Sequence, residues 1–217
     1  MGMRGRLVAP TAIACLLCLV ITWAVQARTY SWAYDGRLWR IQAELSTEQL
    51  RDFASLPRGW DYSAYVGHHG NVDAVRDVVD ALGAAADDAG YGERQTAGLV
   101  VAFVQALPYV VDNQDGVAVE YPRYPLETLF DGGDCEDKAI LAAALMKGLG
   151  MSVGLLHFTA TLPAHMAVGI ALSERVSGTY FPHDGKRYYY GETTEPGWQI
   201  GEVPPQVRGN LAYIEPV

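Results

Sequence analysis

Thiols are scarce in this chain. Only three cysteines occur among 217 residues, and two of them, Cys15 and Cys18, fall inside an uncharged apolar stretch near the N-terminus. Cys135 is left without a thiol partner in the remainder, which excludes a disulfide framework and makes it a candidate reactive thiol. Basic clusters are also missing outside the first residues. With 25 acidic against 16 basic residues the formal charge is -9, so nucleic acid is not an expected partner. Charged residues amount to 19% and apolar ones to 50%. That balance excludes a disordered chain and supports a real core. No internal repeat or low-complexity tract appears, and the length suits one domain with a small N-terminal extension.

From Leu7 to Val25 no residue is charged, long enough for a helix across a bilayer's hydrocarbon core, which takes about 20 residues. Arg4 and Arg6 precede it and favour a cytoplasmic N-terminus, although Arg28 on the far side weakens the bias. Residues 1–28 are therefore expected to form a single-pass membrane anchor with the rest extracytoplasmic. A signal peptide cleaved near Val25-Gln26-Ala27, giving a secreted protein, is the alternative. Cys15 and Cys18 then act as small apolar residues inside the membrane.

Beyond the anchor, residues 29–92 read as an extension of strands and helices, and 93–217 as the core. Tyr30 to Leu45 alternates, with Tyr30, Trp32 and Tyr34 on one face and Trp39, Ile41, Ala43 and Leu45 beyond Asp35-Gly36, which predicts a hairpin. Ser46 with Gln49 suggests a capped helix to about Leu56, and Trp60 to Gly70 a loop with solvated His68 and His69. A helix capped by Asn71 carries Val72, Val75, Val78, Val79 and Leu82; a second, Glu93 to Leu107, turns Leu99, Val100, Phe103 and Val104 inward. The stretch from Tyr109 to Tyr124 is expected to be irregular. A third helix opens at Asp134 or Cys135, with Ile140, Leu141, Ala144 and Leu145 inward. Met151 to Phe158 and His165 to Leu172 are apolar on both faces, as central strands are, and Arg187 to Thr193 is a further strand.

The chemistry sits at three positions. Cys135 at a helix N-terminus gains from backbone N–H groups that favour a thiolate, while Asp134, Glu136 and Asp137 oppose a further anion. A hard cation held by Asp134 and Glu136 offsets that repulsion, calcium being the natural choice outside a cell; the bland alternative is that these acids complement the helix dipole. His165 and Glu192 follow in an order that suits base and orienting carboxylate. Register decides whether they meet. If Asp184-Gly185 closes one long hairpin, Glu192 faces Ser177. If Ser173 to Gly185 is a wide excursion, Leu172 pairs with Lys186 and Glu192 lies opposite Met166; the second register is the expectation. The Cys135 amide is the expected oxyanion donor, with Gln105, Tyr109, Trp60 and Tyr124 as further candidates. His157 reads as a core or edge residue and His183 as solvated.

The run from Tyr121 through Gly132-Gly133-Asp134-Cys135-Glu136-Asp137 to Ile140 resembles the nucleophile segment of the transglutaminase-like superfamily, especially the bacterial transglutaminase-like cysteine proteinases and related archaeal-type membrane-anchored proteins. His165-Met166-Ala167-Val168-Gly169-Ile170-Ala171 resembles their histidine strand, and Tyr189-Tyr190-Gly191-Glu192-Thr193-Thr194 the strand bearing the third residue. The likeness covers roughly Glu93 to Pro204. It implies an α+β, papain-like/transglutaminase-like core, a Cys-bearing helix packed on an antiparallel sheet, here with an N-terminal transmembrane helix. It also implies a cysteine peptidase with Cys135, His165 and Glu192 as triad, acting on protein or peptide amides through a thioester, and, in the proteinase branch, calcium on Asp134 and Glu136. No other cofactor is implied. The superfamily commonly has Asp where this chain has Glu192. A transamidating enzyme on the same site, or a non-catalytic peptide- or glycan-binding module, are the alternatives.

Overall fold

The computed structural model describes residues 25–112 and 120–217. The expected anchor, Leu7 to Val25, lies outside them except for its last residue. Among the described residues no helix is long and apolar enough to cross a membrane. β1 (Val25–Tyr34) opens at Val25, inside the segment 1–28 expected as the anchor.

β1 pairs antiparallel with β2 (Arg37–Ser46) across Asp35-Gly36, both in the left-handed region (φ 50 and 70), as a tight hairpin turn requires. Alternation puts Tyr30, Trp32, Ile41, Ala43 and Leu45 on the inner face. Ser46 then caps α1 (Thr47–Ser55), its hydroxyl accepting the Gln49 N–H at 3.2 Å.

Two sequence expectations fail in the next stretch. The supposed loop after Trp60 contains α2 (Tyr62–Gly67), capped by Asp61 and held by buried Tyr65 and Val66. Asn71 opens no long helix; it begins α3 (Asn71–Ala74), and Val75 separates that turn from α4 (Arg76–Asp88). The buried Asn71 amide donates to the Tyr65 and Val66 carbonyls at 2.5 and 3.1 Å, so it satisfies the end of α2 rather than the start of a helix. Val72 consequently faces solvent.

α5 (Glu93–Gln105) buries Leu99, Val100, Phe103 and Val104 as its spacing predicts. α6 (Pro125–Asp131) was not expected; Pro125 at its first position fixes φ, and Glu127 returns to accept the Tyr124 N–H at 2.9 Å. α7 (Cys135–Gly148) is buried from Glu136 to Met146 all round, as a helix must be when it has neighbours on every side. It packs against α2, α5 and α6 on one side and the sheet on the other.

That sheet is antiparallel, in the order β5 (Tyr180–His183), β6 (Lys186–Gly191), β4 (His165–Ala171), β3 (Ser152–Phe158) and β7 (Tyr213–Pro216). Val153, Leu155, Met166, Val168 and Ile170 belong to the core shared with α7. Leu156, Phe158, Ala167, Tyr188 and Tyr190 form a second core on the other face, closed by Val203, Val207 and Ile214. The continuous apolar runs of β3 and β4 have this origin.

Phe103 joins the hairpin to the core, with edge contacts to Tyr30 at 5.3 Å and Trp32 at 5.2 Å between ring centroids. Phe103→Ala is expected to cost about 3 kcal/mol in urea unfolding; a loss under about 1 kcal/mol, the size of an ordinary substitution, would contradict docking through this ring.

Candidate active site

Cys135 is the first residue of α7, and Asp134 is its cap. The two glycines before it let the chain approach closely. Gly132 has φ 78, and a Cβ there would collide with the Pro108 carbonyl; a Cβ on Gly133 would collide with Asp137. The Gly133 N–H donates to Pro108 at 3.2 Å and the Val110 N–H to Gly133 at 3.1 Å, a short bridge that sets Tyr109 beside the start of α7.

The three acids around the thiol part company. Asp137 is fully buried and turned toward Arg123, pairing with its guanidinium and accepting its backbone N–H at 2.6 Å. Arg123 also lies 2.9 Å from Asp112. Asp134 and Glu136 stay beside the sulfur: the three groups each offer a ligand atom within 4.8 Å of the others. Burial first, then mutual contact and the charges of Asp134 and Asp137, raise the Glu136 pKa well above the usual carboxylate range. Asp134 is raised too, by burial. One oxygen of each, Asp134 Oδ1 and Glu136 Oε1, is buried with no hydrogen-bond partner. Two orphaned carboxylate oxygens suit a hard, oxygen-seeking cation such as calcium.

Cys135 itself departs from expectation. Its Sγ donates to Glu136 Oε2 at 3.2 Å, and burial followed by the Glu136 charge pushes the thiol well above its ordinary pKa, against the N–H of Met166. The helix terminus alone does not make a thiolate here.

His165 opens β4 opposite Phe158. β4 pairs with β6 as Val168 with Gly191 and Gly169 with Tyr190, and continuing that register sets Glu192 opposite Ala167. The expected register, opposite Met166, is wrong by one residue. The difference matters because one step moves a side chain to the other face, and only the observed register puts Glu192 on the face of His165. Asp184-Gly185 is indeed a two-residue turn, with φ 46 and 75, but it joins β5 to β6, pairing Tyr180 with Tyr189. The excursion from Ser173 to Gly185 therefore contains an added edge strand.

His165 Nε2 lies 3.1 Å from Glu192 Oε2 and 3.1 Å from the Tyr190 hydroxyl, which donates to the same Oε2 at 2.6 Å. Glu192 Oε1 accepts the Thr193 and Thr194 N–H groups, both at 2.9 Å, and the Thr194 hydroxyl at 2.7 Å. Burial works to raise the Glu192 pKa, but the His165 contact, Tyr190 and the Thr194 N–H outweigh it and hold it down to about 2. Glu192 is 1% exposed, so it is an ionised carboxylate inside the protein.

Cys135, His165 and Glu192 line one cavity of about 520 Å³ together with Tyr109, Leu162 and Trp198. The imidazole bonds through Nε2, and Nδ1 has no partner among the described residues. Of the further oxyanion candidates only Tyr109 is here. Gln105 is committed to the backbone, donating to the Glu192 and Trp198 carbonyls at 2.9 Å each. Tyr124 is buried against Phe53, Tyr65 and His68. Trp60 is exposed and does not line the cavity.

Two residues were missed by sequence reasoning. Tyr190 read only as one of several strand tyrosines, though its spacing of two from Glu192 puts both on one face. Lys138 is fully buried and its Nζ reaches the carbonyls of Leu107 (2.8 Å), Gln105 (3.3 Å) and Thr194 (3.3 Å), tying α5 and α7 to the Glu192 segment. Burial lowers its pKa to about 8, against the Glu192 charge. His157 pairs with Glu215 at 2.9 Å and belongs to the β3–β7 edge.

A Cys-bearing helix packed on an antiparallel sheet bearing His165 and Glu192 is the arrangement implied by the transglutaminase-like resemblance. No family model and no curated protein matches the chain. It is similar to solved structures of Legionella pneumophila LapG. In the calcium-bound form of that protein the identity is 20%, over 80% of this chain and 82% of that one, with a TM-score of 0.41. The EGTA-treated form gives 21% identity over 80% of each chain, again with a TM-score of 0.41.

Because the Glu192 pKa is lowered from 4.5 to about 2, the stability it contributes is complete above the unfolded value and lost as pH falls through that window. Thermal melts of Glu192→Gln are expected to show a shallower acid loss there than the wild type. Equal slopes would contradict an ionised Glu192.

Proposed function

We propose that this protein is a transglutaminase-like cysteine peptidase, membrane-anchored and extracytoplasmic, that cleaves protein or peptide amides through a thioester on Cys135. The observation that carries the reading is the cavity shared by Cys135, His165 and Glu192, in which Nε2 of the imidazole is bound to the carboxylate while Nδ1 is left unpartnered. The thiol gives its proton to Nδ1, and sulfur attacks the amide carbonyl carbon. The resulting oxyanion is met by the Cys135 N–H, with the Tyr109 hydroxyl at the same cavity. His165 returns the proton to the leaving amine as the C–N bond breaks. Water then adds to the thioester with His165 taking its proton, releasing the acid and restoring the thiol. Glu192 stays ionised and orients the ring.

Asp134 and Glu136 are the residues that would hold calcium. Bound there, it would supply positive charge beside the sulfur, and Glu136, which otherwise accepts the thiol hydrogen, would serve as one of its ligands. Anchoring through Leu7 to Val25 is supported by the hairpin: Val25, Gln26 and Ala27 pair with Ser46, Leu45 and Glu44, and cleavage after Ala27 would strip those rungs.

The test is cleavage of a mixed peptide library by the full-length protein with calcium present, alongside iodoacetamide labelling of Cys135. Cleavage is expected to vanish in Cys135→Ala, and labelling to slow about 100-fold in His165→Ala, the low end for loss of a positioned base. No Cys135-dependent products together with equal labelling of both proteins would overturn the reading. For the cation, calcium at a hundredfold excess over its Kd is expected to stabilise the wild type by about 2.7 kcal/mol. An unchanged melting curve, or the same shift in an Asp134→Asn, Glu136→Gln protein, would remove calcium from the proposal.

A further inference from the structure

β6 alternates so that Tyr188 and Tyr190 enter the core on the face away from α7, with Phe158 and Ala167. The Tyr190 ring is fully buried and meets the Phe158 ring edge-on at 5.8 Å. Hydrophobic burial explains the ring but not the place of its hydroxyl. Oη lies 2.6 Å from Glu192 Oε2 and 3.1 Å from His165 Nε2, and those two atoms are themselves 3.1 Å apart. Three polar atoms thus form a closed triangle where the core meets the cavity.

Counting hydrogens decides how the triangle is wired. An ionised carboxylate has no hydrogen to give, and the 2.6 Å separation is that of a hydroxyl donating to a charged oxygen. With its one hydrogen spent on Oε2, Tyr190 offers Nε2 only lone pairs. Nε2 therefore faces two acceptors and must carry the ring hydrogen, which leaves the lone pair on Nδ1. We infer that Tyr190 is a positioning residue whose hydroxyl pins Glu192 Oε2 and shares the Nε2–H, holding His165 in the tautomer that turns a basic Nδ1 to the cavity.

Glu192 alone would do this less well. Its Oε1 is fixed by the donors of Thr193 and Thr194, but without Tyr190 its Oε2 would be held only by the imidazole. A ring and a carboxyl tied only to each other can swing together. The Tyr190 oxygen cannot follow them, because it is carried by a ring locked in the core. The inference rests on the Cys–His chemistry proposed above, so its test separates the two.

The full-length protein in detergent, labelled with nitrogen-15, reports the His165 tautomer directly, the signal being assigned by its loss in His165→Ala. Wild type is expected to show one form, protonated on Nε2. Tyr190→Phe is expected to show a mixture of both forms and to slow iodoacetamide labelling of Cys135 by about tenfold, the cost of a modest misorientation. A single tautomer with an unchanged labelling rate in Tyr190→Phe would overturn the assignment. If Tyr190→Phe does not fold, 3-fluorotyrosine at position 190 keeps the ring and makes the hydroxyl a stronger donor; the Nε2–H resonance is then expected to shift, and an unmoved resonance counts against the role. If His165→Ala labels as fast as wild type, the Cys–His reading fails first.

Discussion

A carboxylate kept ionised in the interior is the constraint on which the site depends. Glu192 survives there because five donors converge on it: two backbone N–H groups, two hydroxyls and an imidazole. They come from three different constraints of the chain. Tyr190 comes from strand alternation, Thr193 and Thr194 from the turn that ends β6, and His165 from the neighbouring strand. The segment is then held from behind, where Gln105 and Lys138 bond its carbonyls. A buried anion without these partners would take up a proton instead, and His165 would lose the acceptor that orients it.

The opposite situation holds a short distance away. Asp134 is half-buried and Glu136 buried, each has one oxygen without a partner, and their pKa values move up rather than down. Asp137 turns to Arg123, yet burial outweighs that partner and still raises its pKa to about 7. Three adjacent acids in sequence therefore serve two purposes: one staples the 121–124 segment to α7, and two present unsatisfied oxygens beside the sulfur. Glu192 and Glu136 therefore shift in opposite directions, because five donors converge on the first and, among the described residues, only the Cys135 thiol reaches the second.

The sequence made legible whatever a single period controls. The β1–β2 hairpin and α5 follow from alternation and a helical stripe, α7, β3 and β4 from unbroken apolar runs, and the residues brought into one cavity were chosen from a lone thiol and its possible partners. What stayed hidden depends on contacts between distant segments. α2 exists because Tyr65 and Val66 are covered by the fold, and Asn71 caps its end rather than a new helix. β5 and β7 are short edges with no alternation long enough to read. The pairing of β4 with β6 was off by one residue because turn chemistry locates Asp184-Gly185 but does not say which neighbour β6 takes on its other edge. For the thiol the sequence offered both a helix terminus that favours the anion and acids that oppose it, and burial beside Glu136 tips the balance against the anion.

β1 starts at Val25, where the uncharged stretch ends, so the uncleaved anchor proposed above would leave no tether between bilayer and domain. Under that proposal the height of the candidate cleft above the lipid would be set by the rigid body of the protein rather than by a flexible stalk. Substrates would be selected partly by altitude: a scissile bond close to the membrane surface comes within reach, and the same bond farther out does not.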